Sequence, residues 1–412
     1  MSPILAREVA TAHEAITAWL RPLRRVLDPG GLVDWARLEA FADALDRAVG
    51  AYPVEAEPPA GGERSRRLRT IRRDLAASGL AGPEGDPALF HVLVQFVCGY
   101  RDIDLRDSFG LGHGSLIADH GSPGVRQKWI PRLRAGELAG IAITECHGGS
   151  RPAETRTQAV AGPGGTWLVT GRKTWISRLN EAAVFVLFFR TPDGRLAAAA
   201  VDATEEGLRR QPIPPTGLAG WAWGVLELDA VPIRRDDVLD GSGMRLLRQH
   251  FAGYRPLVTA TALGGAAAVF DTVTARLSAR QFSGELPRLR DSALITLGRA
   301  HVQLATALLG TVMASNVAEA GGAEAELWGA ATKAHGIDVA NTTVAELALL
   351  LGASGFRADC QTAKIRRDLN GLLYADGIHD SLYRAAGKHH VDGAKTTVPP
   401  PRSRLESAAR TA

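Results

Sequence analysis

The spacing of apolar residues changes twice along this chain, and those two changes restrict its architecture more than any other feature. From Pro3 to about Leu138 apolar residues recur at helical spacing, as in Ala12, Ile16 and Leu20 and again in Phe90, Leu93, Val94 and Val97. A Pro/Gly-rich break interrupts them at residues 53 to 62. Between about 139 and 242 come short strand-like runs, Thr166 to Thr170, Ala183 to Phe189, Leu196 to Asp202 and Val225 to Leu228, separated by Gly, Pro and Asp. Beyond Gly243 long Ala/Leu-rich segments return: Pro256 to Leu277, Leu286 to Ala314 and Ala323 to Leu351. A helical pattern does not settle as a strand, nor the reverse. The chain is therefore expected to be an α+β protein in three parts: an N-terminal α-helical domain over 1–138, a central β-domain over 139–242 and a C-terminal four-helix-bundle domain over 243–395. Residues 396–412, with the run Pro399-Pro400-Pro401 and little apolar content, read as a disordered tail.

Composition excludes several partners. A net charge of +4 is small for 412 residues, and the arginines are scattered, so nucleic acid is not expected. The one dense basic cluster, Arg64 to Arg73, has Glu63 and Asp74 as neighbours and reads as a solvated helix face. The cysteines, Cys98, Cys146 and Cys360, are odd in number and far apart, which argues against a disulfide framework and suits a reducing compartment. No charged region followed by an apolar core opens the chain, and no run of about 18 apolar residues occurs, so a cytoplasmic protein without a membrane span is expected.

Chemistry concentrates in residues 141 to 177. Thr144-Glu145-Cys146-His147-Gly148-Gly149-Ser150 and, after a turn-rich interval, Gly171-Arg172-Lys173-Thr174-Trp175-Ile176-Ser177 combine close-approach glycines, hydroxyls and an indole. Such a set suits a flat, polar-edged, redox-active ring and points to a flavin. Each residue has a plainer reading: Trp175 as a core side chain of a strand, Thr144 and Ser150 as turn caps. Zinc is not expected, because no CxxC and no helical pair of histidines lies near His147; His389-His390 reads as a polar patch at a helix end.

Together with the segment His120-Gly121-Ser122-Pro123 through Gln127-Lys128-Trp129-Ile130-Pro131 to Gly136-Glu137, these stretches resemble the acyl-CoA dehydrogenase superfamily over roughly residues 90 to 390. That family's Thr-Glu-Pro-Gly-x-Gly-Ser-Asp signature keeps Thr144, Glu145, Gly149 and Ser150 here, and departs at Cys146, His147 and Arg151. The resemblance implies FAD as cofactor. Thr144 would bond the pyrimidine side of the flavin, Ser150 would hold the flavin or the thioester arm, Trp175 would flank the ring and Ser177 would donate toward N5. The family's adenosine-pyrophosphate contacts correspond to Arg280-Gln281-Phe282-Ser283 and to Leu349 through Gly352, Gly355 and Phe356, altered in both places: the first is shortened and lacks its final Gly, and the second has Leu349 in place of Gln. The implied roles fall on Arg280, Phe282 and Gly352.

The same resemblance places the base. Removing a Cα proton while a hydride leaves Cβ needs a carboxylate held in a dry pocket. The family carries a Glu at a fixed interval after an Arg-Asp pair; here Arg367-Asp368 is followed at that interval by Ala375-Asp376-Gly377. Asp376 therefore stands at the base position, and the alternative site used by other members is Tyr254-Arg255, without a carboxylate. One methylene less withdraws the carboxylate by roughly 1 to 1.5 Å, a misplacement that costs on the order of a hundredfold unless the backbone moves to meet it. After Gly377 the path through Ile378, His379 and Asp380 to Arg384 is one residue longer than in the family, so His379 and Asp380 are candidates for a proton relay or for contact with a hydroxylated substrate. Tyr254, Arg255, Gly377 and His379 are the expected substrate contacts.

The expected function is FAD-dependent oxidation of an acyl thioester, borne by CoA or acyl carrier protein. Electron-transfer flavoprotein or oxygen is the acceptor, and a homodimer or homotetramer is expected. His147 to Arg151 and Asp376 to His379 are similar to the branch in secondary-metabolite pathways that oxidises a three-carbon hydroxyacyl unit on acyl carrier protein to a hydroxymalonyl extender for polyketide biosynthesis. Two other classes stay open: a flavin monooxygenase on the same scaffold, and a non-catalytic binding protein that keeps the fold.

Overall fold

A computed structural model describes residues 10–52, 62–82 and 85–395. The expected break at 53 to 62, apart from its last residue, and the tail at 396–412 lie outside them. The N-terminal part carries α1 (Trp35–Ala51), α2 (Glu63–Ala77), α3 (Ala88–Arg101) and α4 (Pro123–Arg134). The central part is a seven-stranded sheet of β1 (Leu138–Ala142), β2 (Gln158–Ala161), β3 (Trp167–Ser177), β4 (Ala182–Arg190), β5 (Leu196–Asp202), β6 (Leu208–Pro212) and β7 (Trp223–Ile233). The C-terminal part has three long helices, α5 (Gly243–Phe282), α6 (Asp291–Glu319) and α7 (Ala325–Leu350), completed by α8 (Gln361–Leu372) and α9 (His379–Lys395).

Strand β4 shows why the middle of the chain reads as sheet. It pairs in parallel with β1 and antiparallel with β5, and both of its faces are buried. Phe185, Leu187 and Phe189 enter one core with Val169 and Leu226; Val184, Val186 and Phe188 enter another with Trp129 of α4 and Leu246 and Leu247 of α5. Strands β1, β2 and β6 are additions to the expected set. They are short, and the ends of β2 and β6 are exposed, so they carry little apolar signal.

The two helical parts share one core rather than forming two. Helices α3 and α5 cross at backbone contact: a Cβ on Gly99 would lie 1.9 Å from the Thr261 carbonyl oxygen, and one on Gly264 2.1 Å from that of Phe96. Backbone cannot yield as a side chain does. Gly99→Leu is expected to cost about 3 kcal/mol or more, the upper end of overpacking, read as a lower urea midpoint. A parental midpoint would show that the crossing relaxes.

Two expectations are corrected here. Helix α5 starts at Gly243, not near Pro256, and runs through that proline for 40 residues. Pro256 has no N–H for the Ala252 carbonyl, and Gly329 of α7 packs against that carbonyl oxygen, where a Cβ would stand 2.8 Å away. One stretch of α5 is long and apolar enough to cross a membrane, but 72% of it is buried against neighbouring elements, as in a core helix.

The second correction concerns the basic cluster. Arg64, Leu68 and Arg72 recur every four residues along α2 and face inward. Arg64 bonds Asp104 at 2.8 Å and Asp102 at 3.1 Å, and Arg72 donates to the carbonyls of Asp107, Gly110 and Leu133. Burial lowers the Arg72 guanidinium to about 10. From α8, Lys364 reaches Asp102 at 2.6 Å, Asp368 at 2.6 Å and Asp104 at 3.2 Å. Its ammonium occupies the space among three carboxylates that a metal ion would otherwise take. Asp368 also accepts the Leu218 amide at 2.6 Å. One buried charge network thus joins α2, the turn after α3, the loop before β7 and α8.

Candidate active site

The two motif stretches of the β-domain lie side by side. The Thr174 amide donates to the Thr144 carbonyl at 2.8 Å. Beneath them the buried Glu145 carboxylate accepts from the Arg156 amide (2.8 Å), the Thr157 amide (2.9 Å), the Thr157 hydroxyl (2.7 Å) and Lys173 Nζ (2.9 Å). Glu145 is therefore scaffold. Burial would raise its carboxyl, but Lys173 and the Thr157 and Arg156 donors outweigh that and hold it at about 2. A carboxyl depressed on folding contributes stability above its unfolded value and loses it as pH falls toward the folded one. The stability gap between the parent and Glu145→Gln should be full at pH 6 and narrow from about pH 4.5 toward 2, followed by urea unfolding; a gap independent of pH would contradict it.

Trp175 does not pack in the core, which overturns its plainer reading. The pairing of β3 with β7 slips between Lys173 and Ile176, and Trp175 takes φ 57°. This bulge sends Ile176 into the core at 2% exposure and leaves the indole 58% exposed. Three residues on, Arg178 also has positive φ, at 59°. Its buried guanidinium grips Asp107 at 2.7 and 2.6 Å and donates to Ser177 Oγ at 2.8 Å. Because a lone pair of Ser177 is engaged by Arg178, the hydroxyl proton is free to be donated elsewhere.

The opposing face comes from the C-terminal part. Asp376 and Gly377, between α8 and α9, have φ of 56° and 108°. Their carbonyls are clamped: Arg255 donates to Asp376 O at 3.1 Å, and Lys333 to Gly377 O at 2.7 Å and Leu372 O at 2.8 Å. Burial lowers Lys333 to about 8. The half-buried Asp376 carboxylate makes no hydrogen bond or ion pair among the described residues, although Arg178, Arg255 and Lys333 lie within its electrostatic reach. Ser381 Oγ donates to Ser150 Oγ at 3.0 Å, joining the start of α9 to the β-domain loop. His379 Nε2 is 3.3 Å from Asp380, while its Nδ1 is buried without a partner.

A cavity of about 320 Å³ lies between the N-terminal part and α5. Helix α3 contributes His91 and Gln95, the segment after it Arg106, Asp107 and Ser115, and α5 His250, Tyr254 and Thr261. Tyr254 lies against His113 and stacks on His250 with ring centres 4.6 and 5.0 Å apart. His250 Nε2 is hydrogen-bonded to His113 Nδ1 at 3.0 Å, and burial lowers His250 to about 3, so it is neutral. Burial likewise pushes the Tyr254 phenol up to about 12.

The acyl-CoA dehydrogenase middle-domain profile matches residues 140–231 and the C-terminal-domain profile residues 241–389, together more than half of the 412 residues. The chain belongs to the acyl-CoA dehydrogenase superfamily. It is 27% identical over 341 residues to the very long-chain specific acyl-CoA dehydrogenase of human mitochondria, an alignment covering 75% of this chain and 51% of that one. The chain thus spans about half the length of such curated relatives. Its fold is similar to the FAD complex of an acyl-CoA dehydrogenase from Bacillus anthracis (TM-score 0.77, 17% identity, 90% of this chain and 69% of that one). It is also similar to the prolyl acyl carrier protein oxidase AnaB (TM-score 0.74, 16% identity, 87% and 99%).

Of the residues named from the sequence, Ser150 meets Ser381 at the start of α9, Arg255 holds the loop of Asp376 and Gly377, and Tyr254 lines the cavity. Arg280, Phe282 and Gly352 do not line it. Arg280 pairs with Glu285 at 3.3 Å, and Phe282 is 97% exposed at the end of α5. Arg151 is a surface side chain 3.5 Å from Glu154. Sequence reasoning passed over Arg106, Asp107 and Arg178. Their signal was present: Arg106-Asp107 is charged between Ile103, Leu105 and Phe109, and Arg178 directly follows Trp175-Ile176-Ser177.

Proposed function

We propose that this chain is an FAD-dependent dehydrogenase of an acyl thioester, with Asp376 as the base. The observation that carries this reading is the Asp376 carboxylate, left without a partner on a loop whose two carbonyls are clamped. The β-domain side fits a flavin. The Thr144 hydroxyl has no partner among the described residues, and Gly149 leaves the space beside it open, where a Cβ would stand 3.1 Å from Thr144 Oγ1. The Trp175 indole is exposed, and the Ser177 proton is unspent. Thr144, Ser150, Trp175 and Ser177 would hold the ring. Arg280, Phe282 and Gly352, outside the cavity lining, would serve the adenosine end at a homo-oligomer contact.

When bound, FAD supplies the two-electron acceptor for the hydride that leaves Cβ. Asp376 takes the Cα proton, so that a Cα=Cβ bond forms as both hydrogens depart. The cations Arg178, Arg255 and Lys333 favour the negative charge that develops as the proton is lost. Tyr254 and the His113–His250 pair wall the acyl group from water.

The cavity also supports a short and polar acyl unit. Its volume of about 320 Å³ holds roughly ten groups of water size, and His91, Gln95, His250 and Tyr254 line it together with Phe109, Leu111, Leu116, Leu257 and Val258. A three-carbon hydroxyacyl group on acyl carrier protein, oxidised within a secondary-metabolite pathway, suits that lining; AnaB, named for a prolyl carrier-protein substrate, is a fold-level analogy only. Incubating the FAD-loaded protein anaerobically with acyl-CoA and acyl-carrier-protein thioesters tests the reading. Flavin bleaching without NAD(P)H is expected, and excludes a monooxygenase that needs that reductant. A colourless protein that takes up no FAD would instead indicate a binding protein.

A further inference from the structure

A buried cation stands directly behind the Ser177 hydroxyl. Arg178 is 2% exposed and holds φ at 59°, a region that a non-glycine residue keeps only where its surroundings impose it. Asp107 fixes the side chain: Arg178 Nε and Nη2 meet its two carboxylate oxygens at 2.7 and 2.6 Å, and Nη1 is left to donate to Ser177 Oγ at 2.8 Å. The pair is not neutral in its surroundings. Arg106 and Arg72 also lie within electrostatic reach of Asp107, so three guanidinium groups share that carboxylate. With Asp376 counted, which is within reach of Arg178, these cations still outnumber the acids. Tyr254, beside them, stays a neutral phenol. Burial opposes the charge on Arg178, and Asp107 more than offsets it, so the guanidinium remains protonated. A fixed charge that water does not screen acts strongly on any charge that develops next to it.

We propose that Arg178 poises the bound flavin for reduction: seated by Asp107 behind Ser177, it sets positive charge at the ring edge and raises the flavin's reduction potential. This rests on the placement of FAD against Ser177 in the dehydrogenase reading. Arg178 acts through Ser177 and through space, as a positioning residue. When Asp376 takes the Cα proton its own negative charge is lost, so the positive surplus grows at the moment the hydride leaves Cβ.

The test is the potential of the FAD-loaded protein, read against a redox dye of known potential during anaerobic reduction by dithionite. Arg178→Gln should shift the equilibrium about tenfold toward oxidised flavin, the worth of one charge-assisted contact, or about 30 mV downward for a two-electron couple. Arg178→Lys should keep part of the parental value. Asp107→Asn leaves Arg178 an oxygen to hold and removes the compensating charge, so it should shift the equilibrium the other way by a similar factor. A role in folding alone would loosen the same bulge in both variants and move them alike. Shifts of one sign, an Asp107→Asn potential at or below the parental one, or no uptake of FAD by the parent would overturn the proposal. If Arg178→Gln does not fold, Asp107→Asn and Arg178→Lys decide it by the same signs. Potentials that shift as expected in a protein whose flavin no acyl thioester bleaches sink the dehydrogenase reading and leave the role of Arg178 standing. Bleaching by a thioester with unmoved potentials does the reverse.

Discussion

Asp376→Asn is expected to lower the rate of thioester-dependent flavin reduction by roughly 10² to 10⁴, the range that a positioned general base contributes. The substitution keeps shape and removes the capacity to take a proton. The clamps from Arg255 and Lys333 reach backbone carbonyls, so they survive it, and FAD content and melting temperature should stay parental. A variant that bleaches as fast as the parent would remove Asp376 from the mechanism. Asp376→Glu asks how the short side chain reaches its substrate. The positive φ at Asp376 is costly for a non-glycine residue, and we read it as the backbone shift that brings the shorter carboxylate forward. If so, the longer Glu overreaches and the rate falls by about tenfold or more. A faster Asp376→Glu enzyme would show that the loop does not compensate.

The second large effect is on stability. Lys364→Met should destabilise the fold by about 3 to 5 kcal/mol, the cost of removing one partner from a buried ion pair. It leaves Asp102, Asp104 and Asp368 without the ammonium that bridges them, all of them nearly inaccessible to solvent. Burial, with the two neighbouring carboxylates, already raises Asp368 to about 6 in the parent. A carboxyl raised on folding holds its proton in the native state where the unfolded chain has lost it. Its contribution is therefore present in acid and lost as pH rises through about 6. The deficit of Lys364→Met is thus largest above pH 6 and shrinks in acid, where a proton can replace the missing ammonium. Urea unfolding at pH 5 and pH 8 checks both size and direction. A deficit below about 1 kcal/mol, the value of an exposed pair, would mean that the network is hydrated in solution.

The parts of the site that were legible in the sequence are those in which a short motif carries its own geometry. Trp175-Ile176-Ser177 sits at the end of a strand, and Asp376-Gly377 at a turn, wherever the rest of the chain goes. The plainer reading of Trp175 failed because strand alternation assumes an unbroken ladder, and the slip in pairing between Lys173 and Ile176 arises from β7, about fifty residues away. The solvated reading of Arg64 and Arg72 failed for a related reason. Local charge density says nothing about which helix face turns inward. That depends on Asp102, Asp104 and Lys364, the last of them on α8.

What the sequence determined by itself was the order of helical, β and helical parts and the identity of the family; it also nominated a base and flavin-edge residues. Apolar periodicity and short motifs are local, and they survive without knowledge of neighbours. The tertiary structure alone decided that the helical parts share one core across Gly99 and Gly264, and that Asp107, Arg178 and Ser177 form one chain of contacts. It also decided that Arg106 and Asp107 line one cavity with Tyr254 of α5. Each of these is a matter of which charges and backbones meet after the chain has closed on itself, and such meetings leave no period in the sequence.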